Sequence, residues 1–132
     1  MIGIYGGTFD PVHYGHLRTA LEVKEKLSLD EIRLLPCSQP AHRGLPTVTA
    51  EMRYKMLELA VKDCGKDFVV DSRELDRKGP SYMIDTLKSL KDEFSDNSLV
   101  LIIGTDAFQS LTSWHLWQQL FNYAHIVVIT RP

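Results

Sequence analysis

Fifteen lysines and arginines against seventeen acidic residues leave this 132-residue chain with a net charge of −2, and 44% of its residues are apolar. That composition fits one folded domain with its own core and excludes a disordered chain, while the mixed charges exclude a basic stripe for nucleic acid and leave room only for a local anion site. The longest apolar run, 99–103, falls far short of the roughly 20 residues of a membrane span, and no basic segment precedes a hydrophobic one at the N-terminus, so neither insertion nor export is expected.

The first apolar, β-branched run, 2–5, is predicted to be a strand. Leu17, Ala20, Leu21 and Leu27 then recur with a helical period and define a first helix face. A second strand is expected at 32–36, followed by a proline-rich loop, 38–48, which contains His42 and Arg43 and is too long for a simple connection. Thr49 is placed to cap a second helix with Met52, Met56, Leu59 and Ala60 on one face. A third strand is predicted at 68–71, and Ser81 is placed to cap a third helix carrying Ile84, Leu87 and Phe94. Asp96 and Asn97 mark the turn into a fourth strand at 99–103, and a short helix over 113–122 with Trp114, Trp117 and Phe121 leads to a fifth strand at 126–130.

Strands begin about 30 residues apart, which leaves room for a returning helix in each unit, and none alternates strictly between apolar and polar residues. The expected fold is therefore α/β, a Rossmann-like open parallel sheet of about five strands with helices on both faces and right-handed crossovers. Cys37 and Cys64 lack CxxC or Cys/His ligand spacing and read as reduced thiols, consistent with a cytoplasmic setting and no dedicated metal site.

The segment Gly6-Gly7-Thr8-Phe9-Asp10-Pro11-Val12-His13-Tyr14-Gly15-His16 falls between the first strand and the first helix, the ligand position of this fold class. Glycines there let the backbone approach a phosphate, and the helix start presents free N–H groups and partial positive charge. The GxGxxG dinucleotide fingerprint is absent, which argues against hydride transfer. His13 and His16, three residues apart, fall near one face of the first turn and could stabilise charge on a reacting phosphate and a departing pyrophosphate. The plainer alternative for the pair is helix capping.

The same segment resembles the GGTFDPxHxGH signature of the nucleotidylyltransferase superfamily. The stretches Pro40-Ala41-His42-Arg43, Ser81-Tyr82-Met83-Ile84-Asp85-Thr86-Leu87, Gly104-Thr105-Asp106, Ser113-Trp114-His115 and Thr130-Arg131-Pro132 follow in the order found in bacterial nicotinate-nucleotide adenylyltransferases. The resemblance implies adenylyl transfer from ATP to nicotinate mononucleotide, yielding deamido-NAD and pyrophosphate in NAD biosynthesis, with Mg²⁺ carried on ATP. It implies that Gly6, Gly7, Thr8 and Phe9 wrap ATP and product and that His13 and His16 meet the phosphates. Gly104 and Asp106 would bind a ribose, although Asp106 alone reads equally well as a helix N-cap.

By the same resemblance, Trp114 would stack on the pyridine ring beside His115, where a lone tryptophan at such a spacing would otherwise be read as packing; Trp117 is expected in the core. Met83 and Thr86 would lie at the mononucleotide, with Met83 able to offer its main-chain N–H but not the hydroxyl of the family's usual threonine. His42, Arg43 and Arg131 would receive the 5′-phosphate, where arginine suits a bidentate contact. The family continues past the fifth strand to an ISSTxIR motif that grips the ATP phosphates. No such motif follows Pro132 here, so the expectation is a single, C-terminally shortened domain. The alternatives are a non-catalytic mononucleotide-binding fragment and an adenylyltransferase with another acceptor, such as pantetheine phosphate. The sequence leaves the homo-oligomeric state open.

Overall fold

All five apolar runs become strands of one parallel sheet. In the structure, a computed structural model, the described residues are 1–7, 9, 14–37, 49–77, 79 and 81–130. The strands are β1 (Ile2–Gly7), β2 (Glu31–Pro36), β3 (Phe68–Val70), β4 (Leu99–Gly104) and β5 (Ala124–Ile129). Their order is β3-β2-β1-β4-β5, and every neighbouring pair is parallel. Five α-helices among the described residues accompany them: α1 (Tyr14–Leu27), α2 (Ala50–Val61), α3 (Arg73–Asp76), α4 (Met83–Glu93) and α5 (Thr105–Gln109).

Burial on both faces explains why the strands lack alternation. On one side Ile2, Ile4, Leu99, Leu101 and Ile103 pack with Ile84, Leu87 and Leu90 of α4. On the other, Tyr5, Ile32, Leu34, Val100 and Ile102 pack with Ala20 and Val23 of α1 and Leu57 of α2. Gly3 faces this second layer: a Cβ there would lie 2.5 Å from Ile32 Cδ1 and 2.9 Å from Leu29 Cδ1, so the two methyl groups occupy the space a larger residue needs.

Several local expectations are corrected. Leu27 is exposed rather than on the α1 core face. On α2, Met52, Leu59 and Ala60 are exposed and Met56 is half-buried, while Arg53 and Leu57 form the buried row. Arg53 is drawn inward because its Nη1 donates to the Cys37 carbonyl at the end of β2 (2.8 Å), a partner that hydrophobic periodicity does not register. Thr49 does cap α2, accepting from the Met52 N–H at 3.2 Å. The cap of α4 is Tyr82, not Ser81.

The segment 113–122 is not one helix. Two 3-10 turns, Leu111–Ser113 and Trp117–Asn122, flank Leu116, whose left-handed backbone (φ 52°) breaks any continuous helix. Trp117 is half-buried against the α4 layer, as expected, and Phe121 is exposed. No described helix is long and apolar enough to cross a membrane.

Candidate active site

Strand order reverses at β1: the chain steps outward from β1 to β2 and β3, then crosses to β4 and β5 on the other side. Loops leaving β1 and β4 at their C-terminal ends therefore diverge, and the crevice between them is where open α/β sheets bind ligands. Gly6, Gly7, Phe9 and His16 follow β1 into α1, and Gly104 and Asp106 follow β4 into α5. The fold thus brings together two sequence motifs separated by almost ninety residues.

At the β1 end, His16 sits in the first turn of α1, which carries no acidic residue to offset the positive helix end. Its imidazole meets the Phe9 ring edge-to-face, with centroids 5.3 Å apart, and lies 6.3 Å from the Tyr5 ring. Phe9 is buried yet has a left-handed backbone (φ 49°), an unfavourable combination for a bulky residue that this aromatic cluster sustains. Tyr5 and Phe9 close the cluster at 5.7 Å. The two aromatic rings fix one side of His16 and so restrict where its nitrogens can point.

At the β4 end, the α5 N-cap is Gly104, and Asp106 lies in the first turn with an exposed side chain. The capping alternative for Asp106 is therefore corrected: its main-chain carbonyl accepts from Ser110, and no side-chain cap closes this helix. Thr105 ties the two strand ends together by donating to the Ile129 carbonyl at 3.3 Å.

A third group gathers at the amino end of α4. Tyr82 and His115 pack ring on ring at 4.4 Å, tilted by 30°. Trp114, half-buried against the α4 layer, keeps its indole N–H buried without a hydrogen-bond partner among the described residues. Met83 reaches the β1 end directly, since a Cβ on Gly6 would lie 3.0 Å from Met83 Cε. The Tyr82 side chain makes no cap bond to α4, whose Asp85 N–H turns back to the Tyr82 carbonyl at 3.1 Å.

Thr86 is not brought to this surface. It is fully buried, donates to Glu74 Oε2 at 2.7 Å and accepts from Arg77 Nη1 at 3.2 Å, so direct side-chain contact with a mononucleotide is corrected to an interior role. Thr8, His13, His42, Arg43 and Arg131 lie outside the described residues.

Sequence reasoning missed the polar network that supports α4. Asp71 accepts from Arg33 Nε at 2.9 Å and from Arg73 Nε and N at 2.9 and 3.0 Å. Burial works to raise the Asp71 pKa, and the hydrogen bonds from Arg73 and Arg33 overcome it, holding the carboxyl below its usual range. Arg73 continues to Ser89 (2.9 Å) and Glu93 (2.6 Å) on α4. Burial pushes the Glu74 carboxyl up, against the opposing influence of Thr86 and Arg77. The only sequence signal was a cluster of charged residues at 71–77, which reads as surface.

Residues 4–132 match the family described as Cytidylyltransferase-like, and the chain belongs to that family. Among its relatives, a Methylococcus capsulatus protein named "Probable nicotinate-nucleotide adenylyltransferase" is 60% identical over 132 residues, covering 100% of this chain and 63% of the relative. A Marinomonas protein of the same name is 48% identical, covering 99% of this chain and 59% of the relative. The chain thus spans about three fifths of the length of these curated relatives. Among solved structures, Plasmodium falciparum nicotinic acid mononucleotide adenylyltransferase complexed with NaAD superimposes with a TM-score of 0.80 at 18% identity, over 99% of this chain and 75% of that one, which establishes the shared Rossmann-like fold.

Proposed function

We propose that this protein transfers the adenylyl group of ATP to nicotinate mononucleotide in the cytoplasm. The observation that carries the proposal is the meeting, at the reversal point of the sheet, of the Gly6–Gly7–His16 end of β1, the Gly104–Asp106 end of β4 and the Tyr82–Met83–Trp114–His115 group. The names of relatives up to 60% identical support the same substrates.

In the reaction, a 5′-phosphate oxygen of the mononucleotide forms a bond to the α-phosphorus of ATP while the bond from that phosphorus to the bridging oxygen of the β-phosphate breaks, releasing pyrophosphate. Nothing is added to the protein covalently, so catalysis is positioning and charge stabilisation. Gly6, Gly7, Thr8 and Phe9 form the loop along the ATP phosphates. His16, held by Phe9 and Tyr5 at the positive end of α1, donates to oxygens that gain charge, and His13 takes the same role. Asp106, whose carboxylate has no partner among the described residues, accepts from the adenosine ribose hydroxyls, with Gly104 leaving the approach open.

Trp114 stacks on the pyridine ring beside His115, and the main-chain N–H of Met83, at the start of α4, receives the nicotinate carboxylate. His42, Arg43 and Arg131 bind the 5′-phosphate. Mg²⁺ enters as part of the nucleotide substrate, offsetting triphosphate charge; no group of three or more His, Cys, Asp or Glu side chains among the described residues is placed to hold an ion.

Pyrophosphate release by the full-length gene product with ATP and, in turn, nicotinate mononucleotide, nicotinamide mononucleotide and phosphopantetheine tests the assignment. The nicotinate compound is expected to give the highest kcat/KM. Fastest turnover with phosphopantetheine would assign the protein to another acceptor, and binding of nicotinate mononucleotide without turnover would leave it a binding module.

A further inference from the structure

Two separate ties hold α4 against α3. Near its carboxyl end, Arg73 donates to Ser89 and Glu93. Near its amino end, the Thr86 hydroxyl both donates to Glu74 and accepts from Arg77, using its hydrogen and an oxygen lone pair. Glu74 is 3% exposed and Thr86 is 0% exposed. A buried carboxylate and hydroxyl are a costly means of joining two helices, since apolar side chains of similar volume pack there at least as favourably.

What the second tie does that an apolar contact would not is fix a distance and a direction. Arg77 begins the segment that leads into α4 and Thr86 lies in the helix's first turns, so their hydrogen bond closes the chain on itself across nine residues. Tyr82 and Met83 lie inside that closure. From there the Tyr82 ring meets His115, and the Met83 methyl reaches Gly6. A shift of the clasp therefore moves the amino end of α4, the aromatic pair and the contact with β1 together.

We propose that Glu74, Thr86 and Arg77 are positioning residues that set the acceptor half of the site by locking the amino end of α4, and that the Arg73 tie serves stability alone. This rests on the assignment of the α4 end to nicotinate mononucleotide. Thr86→Val keeps the volume and removes the hydroxyl. It is expected to raise KM for nicotinate mononucleotide by about tenfold, the worth of a buried hydrogen bond or two, with KM for ATP within about twofold of wild type. Thr86→Ser should restore the wild-type value. Glu93→Gln, which weakens the other tie, should lower Tm and leave both KM values in place.

If Thr86→Val does not fold, Arg77→Met, at a partly exposed position, carries the same test, and its KM for the mononucleotide should rise severalfold. Unchanged mononucleotide KM in the folded variants, or an equal rise in Glu93→Gln, overturns the proposal. Failure of the substrate assignment is distinguishable, because wild type itself would then not use nicotinate mononucleotide.

Discussion

Adding one methyl group at Gly6 and at Gly7 should have different consequences, although the two glycines are adjacent and alike in sequence. At Gly6 the new Cβ would meet Met83 Cε at 3.0 Å, closer than ordinary packing allows, with the Leu35 carbonyl oxygen at 3.8 Å. At Gly7 its nearest neighbours would be two Phe9 ring carbons at 3.8 Å, an ordinary contact. Replacing glycine in a strand gains about 0.5–1 kcal/mol by restricting the unfolded chain, whereas overpacking a filled site costs about 1–3 kcal/mol. Because methionine yields more readily than backbone, the overpacking at Gly6 should fall near the low end, leaving Gly6→Ala less stable than Gly7→Ala by about 1–2 kcal/mol. Urea denaturation measures the difference, and Met83→Ala combined with Gly6→Ala should recover about 0.5–1 kcal/mol of it as coupling. Equal stability of the two alanine variants, or additive effects of Gly6→Ala and Met83→Ala, would refute the contact between the end of β1 and α4.

Asp71→Asn should lower stability at pH 7 by about 2–4 kcal/mol, since it leaves Arg33 and Arg73 without their shared anion. The Asp71 pKa is depressed on folding, so its contribution is present above the unfolded value of about 3.9 and is lost as pH falls through the folded one; a wild-type acid limb no steeper than the variant's would contradict this. Trp114→Ala should raise KM for nicotinate mononucleotide by about 10-fold to 100-fold through loss of stacking while sparing KM for ATP, and an unchanged mononucleotide KM removes the stacking role. Arg53→Met should lower the unfolding free energy by about 1–3 kcal/mol by leaving the Cys37 carbonyl without its charged donor, and an unchanged denaturation midpoint would show that bond to be immaterial.

What the sequence made legible was whatever hydrophobic patterning and spacing control. Each strand of the buried parallel sheet was placed to within about two residues, because residues such as those at 99–103 are buried on both faces and admit no other reading. That Gly6 and Gly7 end the first strand and His16 opens the first helix was legible because a strand run stops, and a helical period begins, on either side of that segment. Periodicity failed on α2, where a buried arginine took a place that Met52 and Leu59 were expected to share. The four-residue α3 escaped because so short a helix has no period, and its acidic and basic residues turned inward to partners distant in sequence, such as Glu74 to Thr86. The family resemblance placed Thr86 at the mononucleotide, and only the fold shows its hydroxyl engaged in the interior by Glu74 and Arg77. Met83 was recognised as a departure from the family threonine, but only the fold shows its methyl above Gly6.

The most direct measurement is formation of deamido-NAD from ATP and nicotinate mononucleotide by the full-length gene product and by its His16→Ala variant, with product identified by mass. Wild type is expected to form it together with one equivalent of pyrophosphate. The variant's kcat should fall by about a hundredfold or more, as loss of one preorganised charge contact does, with mononucleotide binding retained. Absence of deamido-NAD with wild type, or undiminished turnover in the variant, would contradict adenylyl transfer at the β1–α1 junction.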